Sequence, residues 1–400
     1  MRSWSAPSRD TAEVFLLSRL LVLAVALVAA LKANRAHSSF DVPAVTQPFD
    51  GWPLDGLFEL VFSTLAQFDA VYYLTIADRG YDAAGVQGPA FFPLYPLATG
   101  LASGWGLSPG AVLIASYAVS LASFAGALYL LHRLVELELG AALARPALLL
   151  LAFFPAAEFY SAPYTESLFL LLSVGAVYAA RTGRWAWAGA LGMLASASRV
   201  PGLALVVPLV LLYLYPPGSA GRRRVGADVL WLALVPLGLV AYAAYLHVEF
   251  DDALLFLDAQ REAAGRQLEL PLSAIVEGVR AAGAGVKEIA SGAAETAPAG
   301  HNLVNLGFLA VAAVATVGVF RRLPIAYGAY VVVALLPALS APYPGEPLNA
   351  LPRFVAVVFP LFMWLALACE ERGWTDRVLV ASALLLGLFT TEFAVGVWAA

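Results

Sequence analysis

The chain is poor in charge, in cysteine and in recognisable cofactor motifs, and each shortage closes off a class of function. Only 13% of its 400 residues are charged, against about 25% in an ordinary soluble domain. Cys369 is the single cysteine, so no intramolecular disulfide can form and the redox compartment stays open. The four histidines, His37, His132, His247 and His301, are scattered and no HExxH occurs, so no metal site is expected. Neither a Walker A loop nor a dinucleotide glycine pattern is present, which argues against a soluble nucleotide donor and leaves no cofactor to assign. None of Asn34, Asn302, Asn305 or Asn349 begins a glycosylation sequon.

What fills the chain instead is apolar. Hydrophobic residues make up 61% and the mean hydropathy is +0.79. Apolar runs longer than about 18 residues recur from one end to the other, so an all-α polytopic membrane protein is expected. Arg2 and Arg9 precede a run from about 14 to 31. That run is long for the core of a signal peptide and contains Arg19, so an uncleaved first span is expected, with Arg19 needing an interior partner or a water-filled cavity.

Residues 34–107 contain no clean span, because Asp50, Asp55, Glu59, Asp69, Asp78, Arg79 and Asp82 interrupt the apolar residues. With Trp52, Phe91, Tyr95 and Trp105, the stretch reads as one long loop carrying two or three amphipathic helices in the headgroup layer, the last at about 91–103. Further spans are expected at 109–131, 146–160, 164–180, 185–198, 201–215, 227–247, 303–320, 324–340, 354–368 and 378–398. The total is about 11, in one integral-membrane unit over 1–400 with 249–300 as a second large loop. Arg133, Arg145, Arg181, Arg184, Arg222 to Arg224, Arg321, Arg322, Arg372 and Arg377 fall in alternate loops, which the positive-inside rule makes cytoplasmic. The 34–107 segment, the SAPYTES turn, Arg199, the 249–300 loop and PYPGEPLNALPR are then external.

Every conspicuous polar group is therefore expected on one face. Asp69, after Phe68 and before an aromatic run, has two compatible roles: helix N-cap, with Phe68 stapled on Tyr73 and Gly80 ending the helix, or general base for a hydroxyl. Arg199 and Arg353 sit at external helix ends, where a guanidinium either snorkels or holds a lipid phosphate. Glu166 complements the start of its helix, with Ser161 as cap, or borders a sugar pocket with Tyr164; Tyr72 and Tyr73 are further pocket candidates, and His301 has no assigned role.

The strings FDAVYYLTIADRGY and AFFPLYP, then FFPAAEFYSAPYTESLF, ASASRVPGLAL and LPRFVAVVFPLF, in that order over 66–365, resemble the PIG-V mannosyltransferases of the GT-C superfamily of membrane glycosyltransferases. Phe68 stands where the family more often has Trp, and 249–300 matches poorly. The resemblance implies a GT-C fold with a catalytic Asp in the first external loop, a role that falls on Asp69. It also implies transfer of a hexose, mannose first, from a polyprenyl-phosphate sugar to a lipid or glycan hydroxyl. A phosphate leaving group needs one base and nearby cations, here Asp69 with Arg199 and Arg353, and direct displacement inverts the anomeric centre without a metal. An Ala-rich, sequon-free chain suits a prokaryotic cell membrane better than the endoplasmic reticulum. A transporter or flippase of lipid-linked sugars is the alternative, against which stand the absence of an internal repeat and the gathering of polar groups at one face. A noncatalytic scaffold is a third.

Overall fold

Apolar segments in lipid must satisfy their backbone polar groups internally, and helices do so within one segment. A computed structural model describes residues 5–33, 53–105, 108–219, 221–264, 269–292 and 297–398. Among these residues the regular structure is helical throughout, with no strand. The long helix α1 (Ala6–Lys32) precedes three short ones, α2 (Gly56–Ser63), α3 (Ala70–Arg79) and α4 (Leu94–Ser103), and then α5 (Pro109–Leu139). The middle of the chain forms α6 (Ala144–Ala152), α7 (Glu166–Arg181), α8 (Trp185–Ser196), α9 (Val206–Leu214) and α10 (Leu237–Phe250). The last third forms α11 (Leu255–Ala264), α12 (Pro271–Ser291), α13 (Ala297–Arg322), α14 (Ile325–Leu339), α15 (Leu351–Ala356), α16 (Phe359–Arg372) and α17 (Thr375–Ala394).

Four helices, Ala6–Lys32, Pro109–Leu139, Pro298–Arg322 and Thr375–Ala394, are long and apolar enough to cross a bilayer. A fifth span is formed if the 3-10 stretch Ala227–Leu234 and α10, bent by 40° at the break before Leu237, are taken together. Shorter apolar helices fill much of the rest, so the expected eleven are only partly present as full-length helices. The expected 146–160 span shows why. Pro155 has no N–H to donate and its ring excludes a continuing helix, so α6 stops at Ala152 and the chain resumes as a buried 3-10 turn, Ala157–Tyr160. The carbonyls freed at the break are taken up by Arg19 of α1, which donates to Ala152 O at 3.0 Å, Ala157 O at 2.7 Å and Ser161 Oγ at 2.8 Å. Phe124 lies under its guanidinium at 4.7 Å. Arg19 thus has the interior partners its position demands, and Ser161 serves it instead of capping the next helix.

The 34–107 segment also departs from expectation. Residues 34–52 lie outside the described residues, but α3 does not rest on the bundle surface. Ala70, Val71, Tyr73, Leu74, Thr75 and Ile76 are buried, and α3 packs on α4 and α5. Its apolar face is wide enough to be worth burying against protein rather than headgroups. By contrast α2 keeps Leu57 and Phe58 exposed, as an interfacial helix would. The 249–300 stretch folds in part into α11 and α12, and α12 lies along α13.

Two arginine–glutamate ion pairs and a His132–Asp10 contact mark one end of the bundle. Here His132 meets Asp10 at 3.2 Å, Arg145 meets Glu13 at 2.9 Å, and Arg181 pairs with Glu138, which also accepts from the Tyr327 hydroxyl at 2.7 Å. Because α7 begins at Glu166 and ends at Arg181, Glu166 lies at the opposite end.

Candidate active site

At that opposite end the chain turns sharply before α3. Phe68 adopts φ 54°, a left-handed conformation costly for a residue with a β-carbon. Its neighbours hold it there. Gln67 Nε2 donates to Thr64 O at 2.9 Å and Ala394 O at 3.0 Å, and the Tyr164 hydroxyl donates to Gln67 O at 2.7 Å. The Phe68 ring lies against Phe393 and Trp398, at 5.3 and 5.1 Å between centroids. The expected staple of Phe68 on Tyr73 is therefore replaced by contacts with the C-terminal helix and the residues after it. The turn sends Gln67 and Phe68 towards α17 and leaves Asp69 facing Arg353.

Asp69 occupies the N-cap position of α3, but its carboxylate caps no backbone N–H. It accepts from Arg353 Nη1 instead, and the side chain remains about one-third exposed, at 34%. Gly80, with φ 84°, closes the helix as expected.

Arg353 comes from the far end of the chain through a tightly pinned loop. Asn302 Nδ2 donates to Gly345 O at 3.0 Å, Asn349 Nδ2 donates to Glu346 Oε2 at 3.0 Å, and His301 Nδ1 lies 3.2 Å from Glu346 Oε1. Ala350, at φ 65°, then starts α15. His301, without a role from sequence, is thus one of the groups that fix the loop carrying Arg353. The Arg353 guanidinium spans two carboxylates, donating from Nη1 to Asp69 and from Nε to Glu166 Oε1. It lies 4.7 Å over the Tyr164 ring and 5.3 Å from Phe159.

Glu166 is the first residue of α7 and wholly buried. Its Oε1 also accepts from Arg199 Nη1 at 2.8 Å, while Oε2 has no hydrogen-bond partner among the described residues. Arg199 sits in extended backbone before the Val200–Leu205 3-10 turn, between the rings of Phe354 at 5.4 Å and Phe169 at 5.8 Å. Neither arginine snorkels: Arg199 and Arg353 are 9% and 7% exposed and point inward. Nor does Glu166 merely complement a helix terminus, since it is the common acceptor for both guanidiniums. Two carboxylates and two guanidiniums form a neutral quartet, the condition under which such desolvation is tolerable.

Tyrosines wall one side. Tyr72 stacks on Phe91 at 4.5 Å and 10° and donates its hydroxyl to Gln87 Oε1. Tyr73 packs edge-on against Phe91 at 5.1 Å and Tyr95 at 5.4 Å. Burial pushes its phenol up to about 12, against the pull of Arg353, so Tyr73 is a neutral hydroxyl in the field of all four charges. Burial, helped by the Asp69 carboxylate, raises the Tyr72 phenol as well. All seven residues singled out from sequence, Asp69, Tyr72, Tyr73, Tyr164, Glu166, Arg199 and Arg353, thus gather in one region. Sequence reading missed the arrangement inside it. Nothing local revealed the Glu166 bridge, whose two arginine partners lie 33 and 187 positions away, or the part played by Gln67.

The mannosyltransferase (PIG-V) family model matches residues 9–211. The chain belongs to that family. No curated protein and no solved structure matches it. In this membrane mannosyltransferase the matched interval carries Asp69, Tyr72, Tyr73, Tyr164, Glu166 and Arg199, while Arg353 lies beyond it. Arg353 nevertheless joins the matched part through both carboxylates.

Proposed function

We propose that the protein transfers a hexose, mannose in the first instance, from a polyprenyl-phosphate sugar to a hydroxyl of a lipid or glycan acceptor, on the external face of a prokaryotic cell membrane. Asp69 is the general base, and Arg199 and Arg353 hold the donor phosphate. The observation that carries this reading is the Arg353 guanidinium shared between Asp69 and Glu166.

The chemistry follows from charge. As the acceptor oxygen attacks the anomeric carbon, its proton passes to an Asp69 carboxylate oxygen. The bond from that carbon to the phosphate oxygen breaks, and the polyprenyl phosphate leaves with one more negative charge. Asp69 loses its negative charge in the same step. Arg353 is then released from Asp69 just as the phosphate needs a counter-ion, so positive charge is redirected without leaving the site. Glu166 stays ionised and keeps both guanidiniums in place. Attack opposite the departing phosphate inverts the anomeric configuration. The two guanidiniums supply the positive charge that a metal ion provides in other phosphate-releasing enzymes, and Tyr72, Tyr73 and Tyr164 border the sugar or acceptor. The location of the quartet at one end of α7 supports transfer over carriage of the sugar through the bundle, which would call for polar groups near mid-membrane.

Purified protein incubated with polyprenyl-phosphate mannose and a panel of hydroxylated acceptors should yield a product one hexose heavier, of inverted configuration, with the same rate in excess chelator. A donor consumed with retention, or a sugar moved across proteoliposomes without any product, would overturn the reading.

A further inference from the structure

The end of the bundle opposite Asp69 holds a second arrangement that sugar transfer does not use. Where the C-terminal turns of α13 and α16 come together they enclose a hollow of about 190 Å³. Arg321, Arg322 and Arg372 line it together with Trp364 and Glu371. Leu367, Ala368 and Gly318 supply the apolar wall. Gly318 is what admits the indole, because a β-carbon there would lie 2.1 Å from Trp364 Nε1.

The donors and acceptors in this hollow do not balance. Glu371 is the one carboxylate in the lining, and Arg322 already pairs with it. Arg372 donates to Ala368 O at 2.9 Å, one bond out of the five N–H groups a guanidinium carries. Among the described residues Arg321 has no ion pair or hydrogen bond. Trp364 can only donate. Helix C-termini attract cations, which accounts for arginines at these positions, but not for their convergence with a tryptophan around an apolar slot. α13 runs from the loop that fixes Arg353 to this hollow, so about 25 residues at roughly 1.5 Å each separate the two sites.

We propose that this hollow binds the phosphate headgroup of an anionic phospholipid, with Arg321 and Arg372 on the phosphate and the acyl region against Trp364 and Leu367. The apolar wall favours a lipid over free phosphate, and the proposal does not depend on the sugar-transfer reading. Native mass spectrometry of the detergent-solubilised full chain, titrated with phosphatidylglycerol or phosphatidylcholine, tests it. The wild type should retain phosphatidylglycerol at least about fivefold more than phosphatidylcholine, and Arg321→Ala with Arg372→Ala should abolish the difference. Arg377→Ala, outside the lining, should not, which separates loss of the site from loss of the fold. Equal retention of both lipids, retention unchanged in the double variant, or displacement by millimolar inorganic phosphate would overturn it.

Discussion

The two ends of the bundle hold charge differently: the Arg145 end mixes exposed pairs with the largely buried Arg181–Glu138 and His132–Asp10 contacts, whereas the Asp69 end gathers four charged groups into one coupled quartet. At the Arg145 end both partners of the Arg145–Glu13 pair are 46% exposed and those of Arg322–Glu371 are 47% and 43% exposed. At the Asp69 end Glu166 is 0% exposed, with Arg353 at 7% and Arg199 at 9%. Exposed pairs contribute about 0–1 kcal/mol each and need no explanation beyond the orientation of a membrane chain. A buried quartet costs several kcal/mol per ion in desolvation before its pairing repays any of it. A fold that needed only stability would replace it with apolar side chains. Three of its members are buried and the fourth, Asp69, is partly exposed at the helix ends, and the proposed chemistry uses that arrangement.

That contrast can be broken from either side. Glu166→Gln, which leaves two buried guanidiniums without their common anion, should destabilise the protein by about 3–5 kcal/mol, seen as a lower Tm in detergent and reduced folded yield from membranes. If Glu166→Gln were as stable as the wild type, the quartet would not be the tightly coupled unit described. Arg353→Lys should fold, but an ammonium cannot reproduce a fork shared between two carboxylates. A loss of roughly 10–100-fold in kcat/KM corresponds to one charge-assisted hydrogen bond. Arg199→Ala should raise the Kd for the lipid-linked donor by about tenfold, measured by binding to immobilised enzyme; an unchanged Kd would return Arg199 to a packing role. At the other end Arg145→Ala should shift stability by less than about 1 kcal/mol, and a larger effect would erase the distinction between the two ends.

Much of this was legible in the chain. Charge spacing separated the two ends, and the FD, SAPYTES, SRV and LPR segments marked each member of the quartet. Helix α1 and α5 follow directly from uninterrupted apolar runs. The broken spans were harder, because hydropathy does not register that Pro155 ends α6 or that the stretch before Leu237 bends by 40°. Arg19 illustrates the limit well. Its need for partners was evident, but their identity depended on a helix break more than 130 residues away, at Ala152. The pairing of Glu166 with Arg353 spans 187 positions, and local periodicity carries no information about such contacts. The Phe68 turn was likewise hidden, since a non-glycine residue at φ 54° is fixed by Phe393 and Trp398, at the other end of the sequence.

The decisive measurement is donor affinity and transfer rate side by side in Asp69→Asn. With Asp69 as base and Arg353 free to turn to the phosphate, the variant should bind polyprenyl-phosphate mannose at least as tightly as the wild type while transfer falls by about 100-fold or more. Transfer at the wild-type rate, or donor binding lost in parallel with activity, would contradict the account.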